Sequence, residues 1–331
     1  MRFVVDDVGE MITHTMPLAI MMQPREDVDA SVLRVPGELQ DLILNYMDKS
    51  TLSMCTLISR SHPWSLLARE HLFRAVAVAV ESTMEETSVR AISSFLRFLE
   101  LQSSKVVLGY IKVLKVGSSD QFIWRRVLHT HDLSLVIAKL PALEDIHLSG
   151  LQLNVASGDV TWPPQRRLKT LHLHLISFAL LDAQASGDGI PKCSFGELLN
   201  VFSEMQALQF RNVWFTVLHS GGLAVLKCGR EYLLASSRRV RGNLCIRRVV
   251  SSDTGRSHGT ESRALEFLYG SQAFCSLRSL DVHVAETIEP VNQVLAQAGP
   301  HLQDIRLVHA VCHDPPGTKV STPFISIIRK Y

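Results

Sequence analysis

Apolar positions along this chain fall into two textures. Between residues 34 and 74 they recur at helical spacing, whereas beyond about residue 85 helical stretches alternate with short period-two runs. Pro36 suits the first position of a helix, where its missing N–H costs nothing. Leu39, Leu42, Ile43, Tyr46 and Met47 then follow at i, i+3, i+4, i+7 and i+8, one face of an amphipathic helix. Asp48-Lys49-Ser50-Thr51 breaks that helix and offers hydroxyl caps for a second, on which Leu52, Cys55 and Ile58 share a face. Pro63 opens a third, carrying Trp64, Leu67, Ala68 and Leu72. Three short helices in about 40 residues make a core too small to stand comfortably alone, so such a module gains stability by burying its outer face against something else.

The second texture predicts helices over 88–101, 133–140, 195–205, 263–274 and 291–298, after a first strand over 75–80. A small pattern recurs between them: apolar, two spacers, apolar, one spacer, apolar. It stands at Ile111-Leu114-Val116, Leu143-Ile146-Leu148, Leu168-Leu171-Leu173, Met205-Leu208-Phe210, Leu223-Leu226-Cys228, Leu277-Leu280-Val282 and Leu302-Ile305-Leu307. The last two apolar positions of each are two apart and so point to one side of a strand. The long gap between Leu223 and Leu277 leaves room for one degenerate unit around Leu244-Cys245-Ile246. Counting that unit, the mean spacing is about 27 residues, within the 20–29 of leucine-rich repeats, although the Asn/Cys position of that repeat is irregular here. The alternative is a conventional α/β domain with similar strands. Loops over 182–192 and 251–262 interrupt the array, 324–328 reads as one more strand, and the expected polar capping repeat does not follow it.

Composition narrows the function classes. Of 331 residues, 46% are hydrophobic and 20% charged, enough apolar content to exclude disorder throughout. A net charge of +2 argues against a dedicated nucleic-acid binder. No apolar run approaches the roughly 18 residues of a membrane span, and Asp6, Asp7 and Glu10 do not suit a secretory signal, so no membrane is expected. Cys55, Cys193, Cys228, Cys245, Cys275 and Cys312 are scattered without C-x-x-C pairs, which suggests a reduced, cytoplasmic or nuclear compartment. His172 and His174 share a strand face, and His309, Cys312 and His313 form a loose cluster, but neither has the partners of a metal site. There is no nucleophile elbow, phosphate loop or dinucleotide fingerprint, so neither an enzyme nor a cofactor is expected.

The N-terminal helices carry further signal. Val35-Pro36-Gly37-Glu38-Leu39, the stretch from Leu52 through Cys55 to Ser61, and Leu72-Phe73-Arg74 together resemble the opening, middle and close of the F-box of fungal F-box proteins with degenerate leucine-rich repeats. His62-Pro63 separate Ser61 from Trp64, where that family has Trp directly after Ser-Arg-Ser, a two-residue departure that a helix restarting at Pro63 would absorb. Residues 1–31, weakly periodic and interrupted by acidic residues and Pro, read as a flexible leader; with the resemblance, this gives an F-box over 32–75 and a repeat domain over 85–331, that is, an α/β chain with a three-helix F-box followed by an irregular leucine-rich-repeat-like solenoid. The resemblance also implies docking on a SKP-family adaptor, and through it a cullin–RING ubiquitin ligase, while the tail selects a protein substrate. Val35, Pro36, Leu39, Ile43, Leu52, Cys55, Ile58 and Trp64 are then adaptor-facing or core positions.

In a leucine-rich repeat, the spacer between the last two apolar residues faces out of the strand layer. That row here is Lys115, His147, His172, Gln209, Lys227, Asp281 and Arg306, with His174, Arg211 and His283 in a flanking column. It is a candidate substrate ridge, or else a plain solvated strand face. The basic segment Arg238, Arg239, Arg241, Arg247 and Arg248 is a second candidate, for an acidic or phosphorylated partner or for nucleic acid, or it is solvated surface. The functional expectation is a non-catalytic substrate adaptor; the alternatives are a repeat scaffold outside any ligase and a nucleic-acid-associated protein using the 238–248 segment.

Overall fold

The structure is a computed structural model, which describes residues 2–3, 36–57, 63–80, 87–117, 127–156, 162–181, 189–219, 222–227, 230–252, 260–284, 289–299, 301–309 and 324–329. Helices α1 (Gly37–Tyr46), α2 (Lys49–Leu57) and α3 (Pro63–Phe73) close on a small core of Leu44, Leu52 and Ala68, ringed by Met47, Cys55, Trp64, Leu67 and Leu72. The α2 cap is the Asp48 carboxylate, which accepts from the Thr51 N–H at 2.7 Å, and not one of the expected hydroxyls. That bond holds the Asp48 carboxyl below its ordinary range.

Strand β2 (Ala75–Ala79) follows α3 almost directly, so the helices sit at one edge of a mixed α/β body. Arg74 C=O accepts from the N–H groups of Lys112 and Val113, and the Lys112 ammonium meets Glu70 of α3 at 3.0 Å. The sheet is mostly parallel and contains β1 (Arg2–Phe3), β2, β3 (Val113–Gly117), β4 (Val127–His129), β5 (Asp145–Asn154), β6 (Arg166–Leu181), β7 (Lys192–Cys193), β8 (Phe202–His219), β9 (Gly222–Lys227), β10 (Cys245–Ser251), β11 (Ser279–Val284), β12 (Asp304–His309) and β13 (Phe324–Arg329). Its main path is β1-β2-β3-β5-β6-β8-β10-β11-β12-β13, with β4 beside β5, β7 beside β6 and β9 beside β8, and it does not close into a barrel. Arg2 and Phe3 of the expected leader pair with β2; the rest of 1–31 lies outside the described residues.

Main-path strands thus join in chain order, each added to the same growing edge. Parallel neighbours need a crossover. Helices α4 (Thr87–Glu100), α5 (Lys105–Leu108), α6 (Thr130–Lys139), α7 (Ser194–Asn200), α8 (Arg230–Ser237), α9 (Thr260–Gly270) and α10 (Glu289–Ala298) lie in the connections. Register explains the recurring triplet. Val76, Leu114, Ile146, Leu171, Leu208, Val249, Leu280 and Ile305 stand side by side across eight strands. Two residues on, Val78, Val116, Leu148, Leu173, Phe210, Ser251, Val282 and Leu307 form a second row. These rows and the apolar sides of the helices make one continuous core.

Two expectations are corrected. The helix predicted over 195–205 stops at Asn200, because Phe202 already enters the 18-residue strand β8. The triplet Leu223-Leu226-Cys228 is not a repeat strand: β9 turns back antiparallel on the end of β8, pairing Thr216 with Lys227. The next strand on the main path is β10, at the place of the expected degenerate unit, and the motif is hard to read there because Ser251 occupies an apolar row.

Gly150, Leu175 and Asn212 have φ of 62°, 55° and 54°, and they lie in register on β5, β6 and β8. Each uses one residue to turn the strand, so the inward parity flips. Leu151 and Leu153, Ile176 and Phe178, and Val213 and Phe215 continue the core beyond the corner. There Phe178, Phe195, Phe215 and Phe267 form an aromatic cluster with ring centroids 4.6–6.2 Å apart. The corner therefore separates an open sheet face before it from a thick, doubly buried segment after it.

Candidate interaction surfaces

Among the helices, the face of α1 selected by periodicity does not point inward. Gln40 and Leu44 are the buried positions of α1, while Leu39, Leu42 and Ile43 are 50%, 50% and 39% exposed and Tyr46 is 86% exposed. A second set of exposed apolar side chains comes from Met54 and Leu57 of α2 and Leu66 of α3. The inner face is held by Leu44, by Ser65 Oγ donating to Thr56 C=O at 3.3 Å, and by His71 Nε2 meeting Asp41 Oδ1 at 2.6 Å. Of the adaptor candidates, Pro36, Leu39 and Ile43 are exposed, Cys55 and Trp64 are half-buried, and Leu52 is core. Val35 and Ile58 lie outside the described residues. Leu42, Tyr46, Met54, Leu57 and Leu66 were not among the candidates. Leu42 and Tyr46 share the predicted face of α1 with Leu39 and Ile43, Met54 and Leu57 fall outside the face of Leu52, Cys55 and Ile58, and Leu66 lies outside the set expected on α3.

The second surface is the outward face of the sheet. Lys115, His147, His172, Gln209, Asp281 and Arg306 stand in one register row, as their spacing predicts. Lys227 does not join them, because β9 is the antiparallel return strand; its place is taken by Val250 of β10. His174 and Arg211 pair across β6 and β8 in the flanking column. His283 lies on β11 one position beyond Val282; its side chain, like that of Lys227, lies outside the described residues.

His147 and His172 stack face to face, with ring centroids 4.1 Å apart and planes 10° apart. Burial, reinforced by His172 and Lys115 and opposed by Asp145, lowers His147 to about 4. Burial also lowers His172, against Asp145 and a hydrogen bond with Gln209. His174 is lowered by burial and by Arg211. The ridge centre is therefore neutral at pH 7, with Lys115 and Arg211 as the cations beside it. Among the described residues, no three His, Cys, Asp or Glu side chains group as a metal site.

Toward the far edge the face becomes dipolar. A cleft of about 380 Å³ is lined by Arg248, Ser279, Asp281, Asp304 and Arg306, together with Leu280 and Ile305. Arg306 pairs with Asp281 at 3.7 Å.

No protein-family model matches this chain, and none of the curated proteins compared does. Both surfaces are therefore read from their own chemistry.

The basic segment does not form one surface of five free cations. Arg239 Nη2 donates to Ile190 C=O at 2.8 Å, and Arg247 pairs with Glu204 at 2.5 Å, sharing that carboxylate with Arg167 at 3.3 Å. Arg238 and Arg241 flank the turn after α8, while Arg248 belongs to the outward sheet face. No helix among the described residues is long and apolar enough to cross a membrane.

Proposed function

We propose that this chain is a non-catalytic substrate-recognition adaptor of an SCF-type ubiquitin ligase. Helices α1–α3 would dock on a SKP-family adaptor, and the repeat domain would hold a target protein near the ubiquitin-transfer machinery. The observation that carries the reading is the outward apolar set Leu39, Leu42, Ile43, Tyr46, Met54, Leu57 and Leu66 on a module that already has its own core. Apolar side chains concentrated on a small helical unit mark a surface that a partner covers. They coincide with the segment whose sequence resembles an F-box. A stable interface buries about 1,200–2,000 Å² in total, within reach of a three-helix face. Catalysis in such an assembly is proximity, and the adaptor contributes no reacting group.

The repeat reading rests on strands joining in chain order and on a shared apolar register. It departs from the leucine-rich consensus at one position: where that repeat places Asn or Cys, this chain has Leu151, Ile176 and Val213, all fully buried. The nucleic-acid alternative is weakened by Arg239 and Arg247, which already serve internal partners.

Co-expression with a SKP-family adaptor tests the proposal. The native chain should co-purify as a stoichiometric complex, and Leu39→Asp/Ile43→Asp should abolish it without lowering the melting temperature, since both side chains are exposed. Absence of a complex with the native chain would sink the ligase reading.

A further inference from the structure

We propose that the cleft over β10–β12 binds an extended, unmodified peptide segment carrying an acidic and a basic side chain about three residues apart. The proposal rests on reading the outward sheet face as the substrate surface, and it deepens that reading by naming the substrate chemistry.

The cleft is lined by two arginines and two carboxylates. Arg248 on β10 is exposed and enters no ion pair among the described residues. Across the sheet, in the same register row, come Ser279 and then Asp304, which is likewise exposed and outside any ion pair among the described residues. Asp281 adds a second carboxylate one step along β11, and it is only loosely held by Arg306 at 3.7 Å. The β10 side thus presents a cation in no ion pair among the described residues, and the β11–β12 side two carboxylates with Arg306 beside Asp281.

Arg248 and Asp304 lie two strands apart. At about 4.8 Å per strand their backbones are about 10 Å apart, the length of three extended residues at about 3.3 Å each. A segment crossing the strands can set its acid over Arg248 and its base over Asp304 and Asp281, with its intervening residues above Ser279 and the half-buried Val250. The same arrangement disfavours a phosphorylated segment. A phosphate recruits converging cations, yet here the two cations that line the cleft, Arg248 and Arg306, share it with Asp281 and Asp304. A dianion there would meet two carboxylates at close range.

The experiment selects nine-residue peptides on the full chain from two display libraries, one randomised and one with a fixed phosphoserine. Affinities of the enriched sequences are then read by fluorescence anisotropy. Enrichment of an Asp or Glu two to four positions from a Lys or Arg is expected. Arg248→Asp should weaken those peptides about tenfold and enrich doubly basic ones; Asp304→Arg should enrich doubly acidic ones. Arg248→Gln, which cannot introduce repulsion, should still weaken binding several-fold and covers the case where a reversal disturbs folding. The proposal is overturned if phosphopeptides bind more tightly, if mixed-charge peptides ignore these substitutions, or if nothing is enriched. A complex with the SKP-family adaptor that forms normally in that last case would leave the docking reading standing.

Discussion

Arg166 and Arg167 are neighbours in sequence with opposite fates, and substituting each by Met measures the difference. Arg166 opens β6 and turns its guanidinium onto the end of α6. Nη1 donates to Ile137 and Leu140 C=O at 2.7 and 2.6 Å, and Nη2 to Pro141 and Leu143 C=O at 2.9 and 3.4 Å. It thereby places a cation at the negative end of a helix and stitches that end to the strand carrying His172 and His174. Burial lowers its pKa. Hydrogen bonds to a charged group each contribute about 1.5–3 kcal/mol. Ile137 and Leu140 C=O also accept from the N–H groups of Leu140 and Leu143, so truncation does not orphan them. Two short bonds lost, with the carbonyls still partnered and the aliphatic stem kept, put Arg166→Met at about 2–4 kcal/mol destabilising. Arg167, with a side chain 84% exposed, reaches Glu204 at 3.3 Å, and Arg167→Met should cost below about 1 kcal/mol. Urea unfolding followed by circular dichroism separates them, provided the slope is unchanged. Arg166→Lys should recover less than half of the loss, since an ammonium cannot fork across four carbonyls. If the two Met variants fall within about 0.5 kcal/mol of each other, the assigned role of Arg166 is wrong.

Other predictions concern the ridge, the corner and the helical core. Because His147 is lowered to about 4 in the fold, the unfolded chain binds that proton first as the solution is acidified. Its contribution to stability is complete above the unfolded value near 6.5 and is lost as pH falls toward 4; His147→Gln should therefore flatten the fall in melting temperature between about pH 6.5 and 4.5. A Cβ on Gly117 would lie 2.1 Å from Ser149 C=O. Gly117→Ala should accordingly destabilise by at least about 1–3 kcal/mol in the same urea assay, and a neutral result would contradict the close approach of β3 and β5. Leu44→Ala should cost about 2–5 kcal/mol and melt the small helical core, seen as lost helical ellipticity, while Leu39→Ala should leave the spectrum unchanged.

The triplets at 114–116, 146–148, 171–173, 208–210, 280–282 and 305–307 could be read along the chain because strand alternation is local: a period of two assigns each side chain to a face before any partner is known. The outward row of Lys115, His147, His172, Gln209, Asp281 and Arg306 follows from the same rule. Pairing is not local. Leu223–Cys228 and Ile246–Ser251 carry comparable patterns, and only the return of β9 onto β8 decides that the second continues the sheet. Periodicity likewise found a stripe on α1 without saying whether it faces in or out. The packing of α2 and α3 buries Gln40 and Leu44 and leaves Leu39, Leu42 and Ile43 outside. The histidine stack and the dipolar cleft join residues on different strands, so their chemistry depends on register, which the whole core sets together. The sequence by itself thus determined which side chains share a face. The tertiary structure decided which faces meet, because burial is a property of the assembled layers and not of any one segment.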